Sequence, residues 1–423
     1  MSVIARPRVE TTVRRRVERL FSPRPVHAVP RLGVEIELFG LRTSDDALQP
    51  ASMLDVQPVV TDRRIAGFTA HQAALTFEPG AQLEFSSEPR PGAVELALAA
   101  DRFVDAAQAA ASAAHLAFVA MGTDPLHGRR TWPLAVDSHR YRVMQDHFDA
   151  LGPRGRTMMR QTAALQLGVE VSPGSLIDTW LVLNRAGPAL TAMFANSPVL
   201  EGWRTGEASS RLSIWLEADR SRTGFDAMHV HADDPVEAYV DFAMSALAMA
   251  LPRDGRTSPA PATTTLRTWI DSDDGVDDAD IDHHLSTLFP PVRPRGDYLE
   301  VRYLDALPMR WAAHAIVVIA TLAHGSRARL RALEAVDDTS MLLQRWESAA
   351  RYGIRDRSIA AEACELLDIV VDELRSGGVP GVGSDSVAPL LEFRERFLES
   401  GRSPGDDLDD LLRLEPERLV TWI

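Results

Sequence analysis

The chain has 423 residues, 45% of them apolar and 25% charged, with a formal charge of −15. That is a globular composition, long enough for one large or two ordinary domains, and its acidic balance excludes a general nucleic-acid binder, which needs a basic face. All 45 basic residues are Arg, which excludes a Walker-A loop, a protein-kinase strand lysine and a Schiff base, each built on a Lys amine.

The N-terminal stretch "MSVIARPRVETTVRRRVERLF" has no apolar signal core. Its Arg residues interleave with Val13, Val17 and Leu20, the spacing of an amphipathic helix, so residues 1–30 are expected to form a helix and a Pro-rich lead-in. Residues 31–90 read as strands broken by loops. Residues 91–120 are Ala-rich with helical spacing, opened by Pro91-Gly92, and a second helix is expected from Ser138 to Leu151. Residues 234–252 repeat the Ala-rich helical habit. Residues 252–280 read as an exposed loop. Its acidic run "DSDDGVDDAD" has Gly275 one position early for a calcium loop and no closing Glu, so it reads as solvated.

From Ala306 onward the apolar residues recur at three and four, so the tail reads as helical packing material with a Gly-rich break at "SGGVPGVGSDS". The longest apolar run, "AIVVIATLA", is too short to span a bilayer. The single cysteine, Cys364, admits no internal disulfide and reads as a packing thiol; low Cys usage fits a reducing compartment. The expectation is a soluble cytoplasmic protein with no membrane or nucleic-acid partner. Residues 1–423 are expected to form one catalytic domain, with its core at 31–310 and a mostly helical part at 311–423. Oligomeric state is not legible.

One strand design recurs five times. In "LGVEIELFG", Val34, Ile36 and Leu38 point one way and Glu35 and Glu37 the other. In "LTFEPGAQLEF", Glu78 precedes the Pro79-Gly80 turn, after which Gln82 and Glu84 share a face opposite Leu83 and Phe85. In "TAALQLGVEV", Gln166 and Glu170 oppose Leu165, Leu167, Val169 and Val171. In "RLSIWLEA", read as a strand, Arg211 and Ser213 oppose Leu212, Ile214 and Leu216. In "DYLEVRYLD", Glu300 and Arg302 oppose Leu299, Val301 and Tyr303.

Such segments suit an antiparallel sheet with helices on one side and a polar cup on the other. A solvated strand face usually carries Thr, Lys and Ser with mixed charges, whereas Glu recurs here with Arg and Gln. Several Glu at one site repel unless cations relieve them. Oxygen ligands suit hard divalent ions, and Mg²⁺ takes a few carboxylates plus substrate phosphates. The physics therefore points to a multi-metal nucleotide site without a phosphate loop. Arg302, on the face of Glu300, is placed to clamp a phosphate oxygen.

The segments "GVEIE", "EPGAQLEFS", "HRYRVM", "GRTMMRQTAALQ", "RLSIWLEADRSRTG" and "HHLSTLFPPVRPRGDYLEVRYLD" together resemble the plant-type glutamate–cysteine ligase family. They fit best its actinobacterial branch, which supplies γ-glutamylcysteine to ergothioneine synthesis. The resemblance spans roughly residues 30–310 in order. It implies a glutamine-synthetase-like α+β catalytic fold, in which a curved antiparallel sheet flanked by helices forms the active-site cup. It also implies ATP-dependent joining of the γ-carboxylate of L-glutamate to the amine of L-cysteine, through a γ-glutamyl phosphate, with two or three Mg²⁺ ions and Mn²⁺ as the alternative. Carried onto this chain, the metal ligands would be Glu35, Glu37, Glu78, Glu84 and Glu300, with Gln166 where other branches place a ligating side chain. Arg302 and Glu300 would serve catalysis, Arg302 on the transferred phosphoryl group. Arg211 would grip the glutamate carboxylate, with Arg220 as an additional candidate. Arg140 and Tyr141 fall in the substrate-pocket segment. Ala81 replaces a Gly common in the family, and Cys364 alone cannot reproduce the redox control of plant relatives.

Three alternatives stay open at this level: the same ligase chemistry with another amine acceptor, a non-catalytic nucleotide- or amino-acid-binding relative, and a guanidino kinase. Other candidates are weaker. His229 and His231 share a strand face but lack a third zinc ligand. Of His283 and His284 only one can face a site on a regular strand. Trp215 is a cup candidate and Trp203 reads as packing. No general base is legible.

Overall fold

The computed structural model describes residues 6–25, 27–43, 47–68, 73–126, 128–225, 234–253, 256–261, 263–272 and 276–423. His229, His231 and residues 273–275 of the acidic run lie outside them. In chain order the strands are β1 (Arg31–Arg42), β2 (Gln49–Pro50), β3 (Ala74–Phe77), β4 (Leu83–Ser86), β5 (Arg90–Pro91), β6 (Leu116–Val119), β7 (Ala164–Glu170), β8 (Val199–Leu200), β9 (Trp203–Arg204), β10 (Ala250–Arg253), β11 (Arg256–Pro259), β12 (Val292–Pro294) and β13 (Tyr298–Asp305).

The long strand β1 is the spine. It pairs antiparallel with β4 on one side and β7 on the other, while its outer end pairs with β6. The main path runs β12-β13-β7-β1-β4-β3, and every pairing along it is antiparallel. Period-2 alternation decides the two faces. Leu32, Val34, Ile36 and Leu38 of β1, Leu83 and Phe85 of β4, Leu165, Leu167 and Val169 of β7, and Leu299, Val301 and Tyr303 of β13 are all buried in one apolar cluster. The helices Gly92–Ala113, Leu176–Arg185 and Met309–His324 back that face. The cluster extends from Val9 of the Arg6–Leu20 helix to Leu398.

The alternation breaks once, in β13. Val301 pairs with Leu167 but Leu304 pairs with Leu165, so Arg302 and Tyr303 together oppose Gln166. This is a β-bulge, which re-aims side chains at the residue it inserts. Leu304 rejoins the apolar face beyond it.

Several expectations are corrected. "RLSIWLEA" is the helix Ser210–Ala218, capped by the Ser209 hydroxyl, which accepts from Leu212 N at 3.1 Å. Its buried set includes Ser210, Arg211 and Ser213 as well as Leu212, Ile214 and Leu216. A helix buried on most sides mimics alternation, which is why the pattern misled. The 31–90 region also holds the helices Met53–Val60 and Arg63–Ala66. The 252–280 region is not simply an exposed loop: it holds β11 and the helix Leu266–Asp271, whose Leu266, Trp269 and Ile270 are buried. The 234–252 helix ends at Ser245, with β10 following. His283 and His284 sit on the helix Asp278–Ser286, not on a strand. Trp203 is 72% exposed on β9, so it is not core packing. No helix of the described residues is long and apolar enough to cross a membrane; "AIVVIATLA" lies buried inside Met309–His324.

The turn between β3 and β4 is tightly held. Glu78 N donates to Gln82 O and Ala81 N to Glu78 O, each at 2.9 Å. Ala81 has φ +65°, the left-handed region a glycine enters freely. Gly80 lies against backbone: a Cβ there would sit 2.0 Å from the carbonyl oxygen of Arg160. Gly80→Ala is therefore expected to lower unfolding stability by about 2–3 kcal/mol, since a peptide group must move to admit the methyl. Gly174→Ala, where nothing lies within 4 Å, should stay within about 0.5 kcal/mol of wild type. Urea unfolding of the two variants makes the comparison.

Candidate active site

The polar face of the sheet carries the acidic residues in register. Glu37 of β1 is directly opposite Glu84 of β4, Glu35 opposite Gln166 of β7, and Gly168 of β7 opposite Glu300 of β13. Glu78 joins them from the end of β3, its carboxyl hydrogen-bonded to that of Glu84. Glu84 also accepts from Thr76 Oγ1 at 2.7 Å. Glu37 accepts from Ala164 N at 2.8 Å and from Gln166 Nε2 at 3.0 Å. The bulge residue Arg302 donates to Gln166 Oε1 at 2.6 Å and pairs with Glu300. Gln166 thus links a carboxylate on one side to a guanidinium on the other.

These residues enclose two adjoining cavities that share Glu35 and Gln166 as a waist. The first, about 370 Å³, has a floor without side chains: Gly33 and Gly168 are cross-strand partners on the polar face. The Tyr298 ring stands beside it, 3.3 Å from where a Gly168 Cβ would be. At its mouth His27 Nδ1 lies 2.7 Å from Glu170 Oε1. The second cavity, about 210 Å³, has Glu37, Glu78 and Glu84 on one wall and Arg211, Arg293 and Arg302 on another. Helices His139–Leu151, Arg154–Gln161 and Ser210–Ala218 supply its remaining wall, including Tyr141, Met144, Met158 and Trp215.

The electrostatics of the two walls differ. Burial, then Glu84 and Glu300, pushes the Glu35 carboxyl up to about 7. Burial and Glu84 push Glu37 up to about 7 as well. Glu78 is driven well above the usual carboxylate range by burial and by Glu37 and Glu84. The same crowd, behind burial, raises the Tyr141 phenol. Glu300 is the exception. Burial opposes its charge, yet Arg302, Arg293 and Arg295 hold its carboxyl below the usual value. Arg293 is its register partner on β12, and Arg295 Nε lies 3.5 Å away.

Arg211 is set by a buried relay. Asp305, three residues beyond Arg302, accepts from Ser197 Oγ at 2.7 Å, Ser209 Oγ at 2.9 Å and Asn196 N at 2.8 Å. Ser209 caps the helix that carries Arg211, and Arg211 Nη2 donates to Arg302 O at 2.9 Å. The guanidiniums of Arg211 and Arg302 lie 5.6 and 6.0 Å from the Trp215 ring centre, within reach of its face. Nε of Arg211, Nε of Arg302 and Nε1 of Trp215 are buried with no acceptor in the protein. Three such donors on one wall suit an anionic ligand.

The structure therefore gathers Glu35, Glu37, Glu78, Glu84, Glu300, Gln166, Arg302, Arg211, Tyr141 and, at the exposed rim, Arg140. It does not gather Arg220. That side chain points to solvent beside Glu347, 3.4 Å away, because its short helix Arg220–Thr223 turns Arg222 inward instead. His283 and His284 line neither cavity; His284 Nε2 donates to Ala243 O at 2.8 Å, and burial pushes its imidazole down to about 3. Sequence reasoning missed Arg293 and Arg295, whose Arg-x-Arg spacing ahead of β13 was the available signal. It also missed Arg129, fully buried against Asp124 at 2.8 Å. Arg129 donates to the carbonyls of Gly40, Ala51 and Gly80, tying β1 to the Glu78–Glu84 turn.

Comparison with known proteins decides the family. Residues 31–420 match the glutamate–cysteine ligase family 2, GCS2. The chain belongs to that family. It is 32% identical to the glutamate–cysteine ligase EgtA of Mycolicibacterium smegmatis over 408 residues, 90% of this chain and 87% of the relative. It is 27% identical to the chloroplastic glutamate–cysteine ligase of Nicotiana tabacum, across 66% of this chain and 56% of that one. Among solved structures, the Francisella tularensis glutamate–cysteine ligase in complex with AMP superimposes with TM-score 0.57 at 14% identity, covering 94% of this chain and 88% of that one. A bifunctional glutathione synthetase from Pasteurella multocida gives TM-score 0.52 at 12% identity, over 98% of this chain and 53% of that one. The fold is thus the one the sequence resemblance implied, and family membership makes the chain an ATP-dependent ligase.

The raised carboxyls carry a stability consequence. A carboxyl with folded pKa near 7 and unfolded pKa near 4.3 disfavours the folded state increasingly above about pH 4.3, and fully only above 7. Glu37→Gln should therefore stabilise the ligand-free protein at pH 8, by about 2 kcal/mol. The advantage should fall to about a third of that at pH 5, where Glu37 is neutral in the folded protein but still mostly ionised in the unfolded chain, and vanish below about pH 4. Thermal unfolding of the variant and wild type at both pH values reads the difference.

Proposed function

We propose that the two cavities hold the substrates of γ-glutamylcysteine synthesis: the nucleoside of ATP over the Gly33–Gly168 floor, its phosphates at the waist, and glutamate and the acceptor amino acid in the carboxylate- and guanidinium-walled cavity. The observation that carries this reading is the facing of those two walls across one cavity that opens through Glu35 and Gln166 onto a side-chain-free floor. A flat floor beside an aromatic ring accommodates a purine. A triphosphate and an amino-acid carboxylate are both anions, so they need the Arg wall and added cations.

The donor set fits hard divalent ions. Glu35, Glu37, Glu78 and Glu84 offer only oxygen, and their raised carboxyls mark an end of the site short of positive charge. Among the described residues, no group of three or more His, Cys, Asp or Glu forms a ready metal cage. Mg²⁺ takes a few carboxylate oxygens and commonly completes its shell with water and phosphate oxygens. Glu35, Glu37, Glu78 and Glu84 would hold such ions, with Glu300 joining them only if it loosens its pair with Arg302. Bound there, Mg²⁺ supplies charge neutralisation along the phosphates during transfer.

The chain's own residues do the rest. Arg211, with Trp215 Nε1 beside it, grips a glutamate carboxylate. Arg302, held by Gln166 and Glu300, meets the phosphoryl group as it moves from ATP to the γ-carboxylate oxygen, where its charge counts most. ADP leaves, and the acceptor amine attacks the γ-acyl carbon of the glutamyl phosphate. Phosphate then departs and the amine gives up a proton. Carboxylates activated this way acylate amines that a bare carboxylate does not, and the protein's share is mainly placement. Because every cation on the wall is a guanidinium, burial does not discharge it near neutral pH. The 32% identity to EgtA supports a place for the product in ergothioneine biosynthesis.

Mass spectrometry of the product formed from ATP, glutamate and a mixture of amino acids tests the reading. γ-Glutamylcysteine with stoichiometric ADP and phosphate is expected; ATP hydrolysis without any γ-glutamyl product refutes it. Glu300→Gln should lower kcat at least a hundredfold with an unchanged circular-dichroism spectrum. Arg211→Ala should raise the glutamate KM by about 10- to 100-fold, the loss of a charged hydrogen bond, and leave the ATP KM within twofold.

A further inference from the structure

Beneath the second cavity lies an apolar cluster separate from the main core. It contains Met144, Phe148, Met158, Met159, Ile214, Ala218 and Met249. Four of the chain's 12 methionines therefore gather here. Three of them, Met144, Met158 and Met159, reach the cavity itself, beside Pro79 and Tyr141.

Two other parts of the cavity wall have an assigned chemistry. Glu37, Glu78 and Glu84 suit cations and the phosphates those cations carry. Arg211, Arg302 and Trp215 present the unpartnered donors that suit a carboxylate. The three thioethers, with Pro79 and Phe289, are the apolar stretch of the lining, and the side chain of the acceptor amino acid is a part of the substrates that carries no charge. We propose that Met144, Met158 and Met159 form the subsite for that side chain and select a small, uncharged, polarisable group such as a thiol. The proposal rests on the ligase reading of this cavity and adds its acceptor specificity.

The chemistry follows from the thioethers. They donate no hydrogen bond, accept weakly, and pack adaptably around soft groups. A thiol or methyl gives up little on leaving water for such a wall. A hydroxyl leaves hydrogen bonds to water behind and finds only weak acceptors in the thioethers, a loss worth about 10- to 100-fold in kcat/KM. An ammonium on the side chain loses more.

The test starts with wild-type enzyme, ATP and glutamate. kcat/KM is measured for cysteine, 2-aminobutyrate, serine and 2,3-diaminopropionate, with products verified by mass spectrometry. 2-Aminobutyrate, which carries a methyl in place of the thiol, should fall within tenfold of cysteine. Serine should fall at least tenfold below 2-aminobutyrate, and 2,3-diaminopropionate lower still. Serine equal to 2-aminobutyrate would overturn the proposal without any variant. Met144→Gln and Met158→Gln keep the side-chain length and add an amide. Each should reduce the cysteine-to-serine preference at least fivefold while the glutamate and ATP KM values stay within twofold. A raised glutamate KM with unchanged preference would give the methionines to the glutamate methylenes instead and sink the assignment. No γ-glutamyl product with any acceptor would remove the ligase reading itself, an outcome separate from either of these.

Discussion

Carboxylates packed side by side out of water repel one another, and the polar face of this sheet accepts that repulsion. Glu37 faces Glu84 across one strand pair, Glu78 shares a hydrogen bond with Glu84, and Glu35 stands two residues along. In isolation the arrangement favours protons on groups that are ordinarily charged, which is why Glu35 and Glu37 are pushed up to about 7. A fold optimised only for stability would not retain it. The site makes sense as one half of an electrostatic contract, with the other half arriving as ions and substrate.

The surroundings are arranged to keep the crowd in place. Arg129 fastens three carbonyls from β1, the following loop and the Pro79-Gly80 turn, so the two strands bearing Glu37 and Glu84 cannot drift apart. The bulge in β13 turns Arg302 toward Gln166. Asp305, just past the bulge, anchors the helix that brings Arg211 to the same wall. Acidic and basic halves are thus positioned by separate devices: a buried guanidinium for the first, a buried carboxylate for the second. Their proximity across Gln166 is a result of strand order, with β7 lying between β1 and β13.

Much of this was legible in the sequence wherever a residue's face follows from its position parity. The Glu residues of β1 and β4, Gln166 and the Glu300–Arg302 pair were found because a strand converts spacing into direction without help from tertiary context. The Ser210–Ala218 helix was misread because burial on most sides erases the difference between a period of two and one of 3.6. Arg211 was nevertheless singled out, on the polar side of the misread segment, and its role came from the resemblance. Arg220 was an additional candidate beside Arg211 on the strength of the resemblance, and the structure turns it to solvent. Arg129, Asp124 and Asp305 were invisible for a different reason: their partners are far away in sequence, and no local pattern encodes a contact to Gly40 or Ser197. Trp203 shows the converse, a large aromatic side chain that hydrophobicity sends inward and a hairpin leaves outside.

The waist formed by Glu35 and Gln166 has a consequence for chemical intervention. Each cavity alone is modest in size, and a compound confined to one of them loses its freedom of tumbling for a limited set of contacts. A single molecule threaded through the narrowing, aromatic at one end and dianionic at the other, would give up that freedom once while engaging both volumes. The shape of the passage, rather than the depth of either hollow, is what a bridging inhibitor would have to fit.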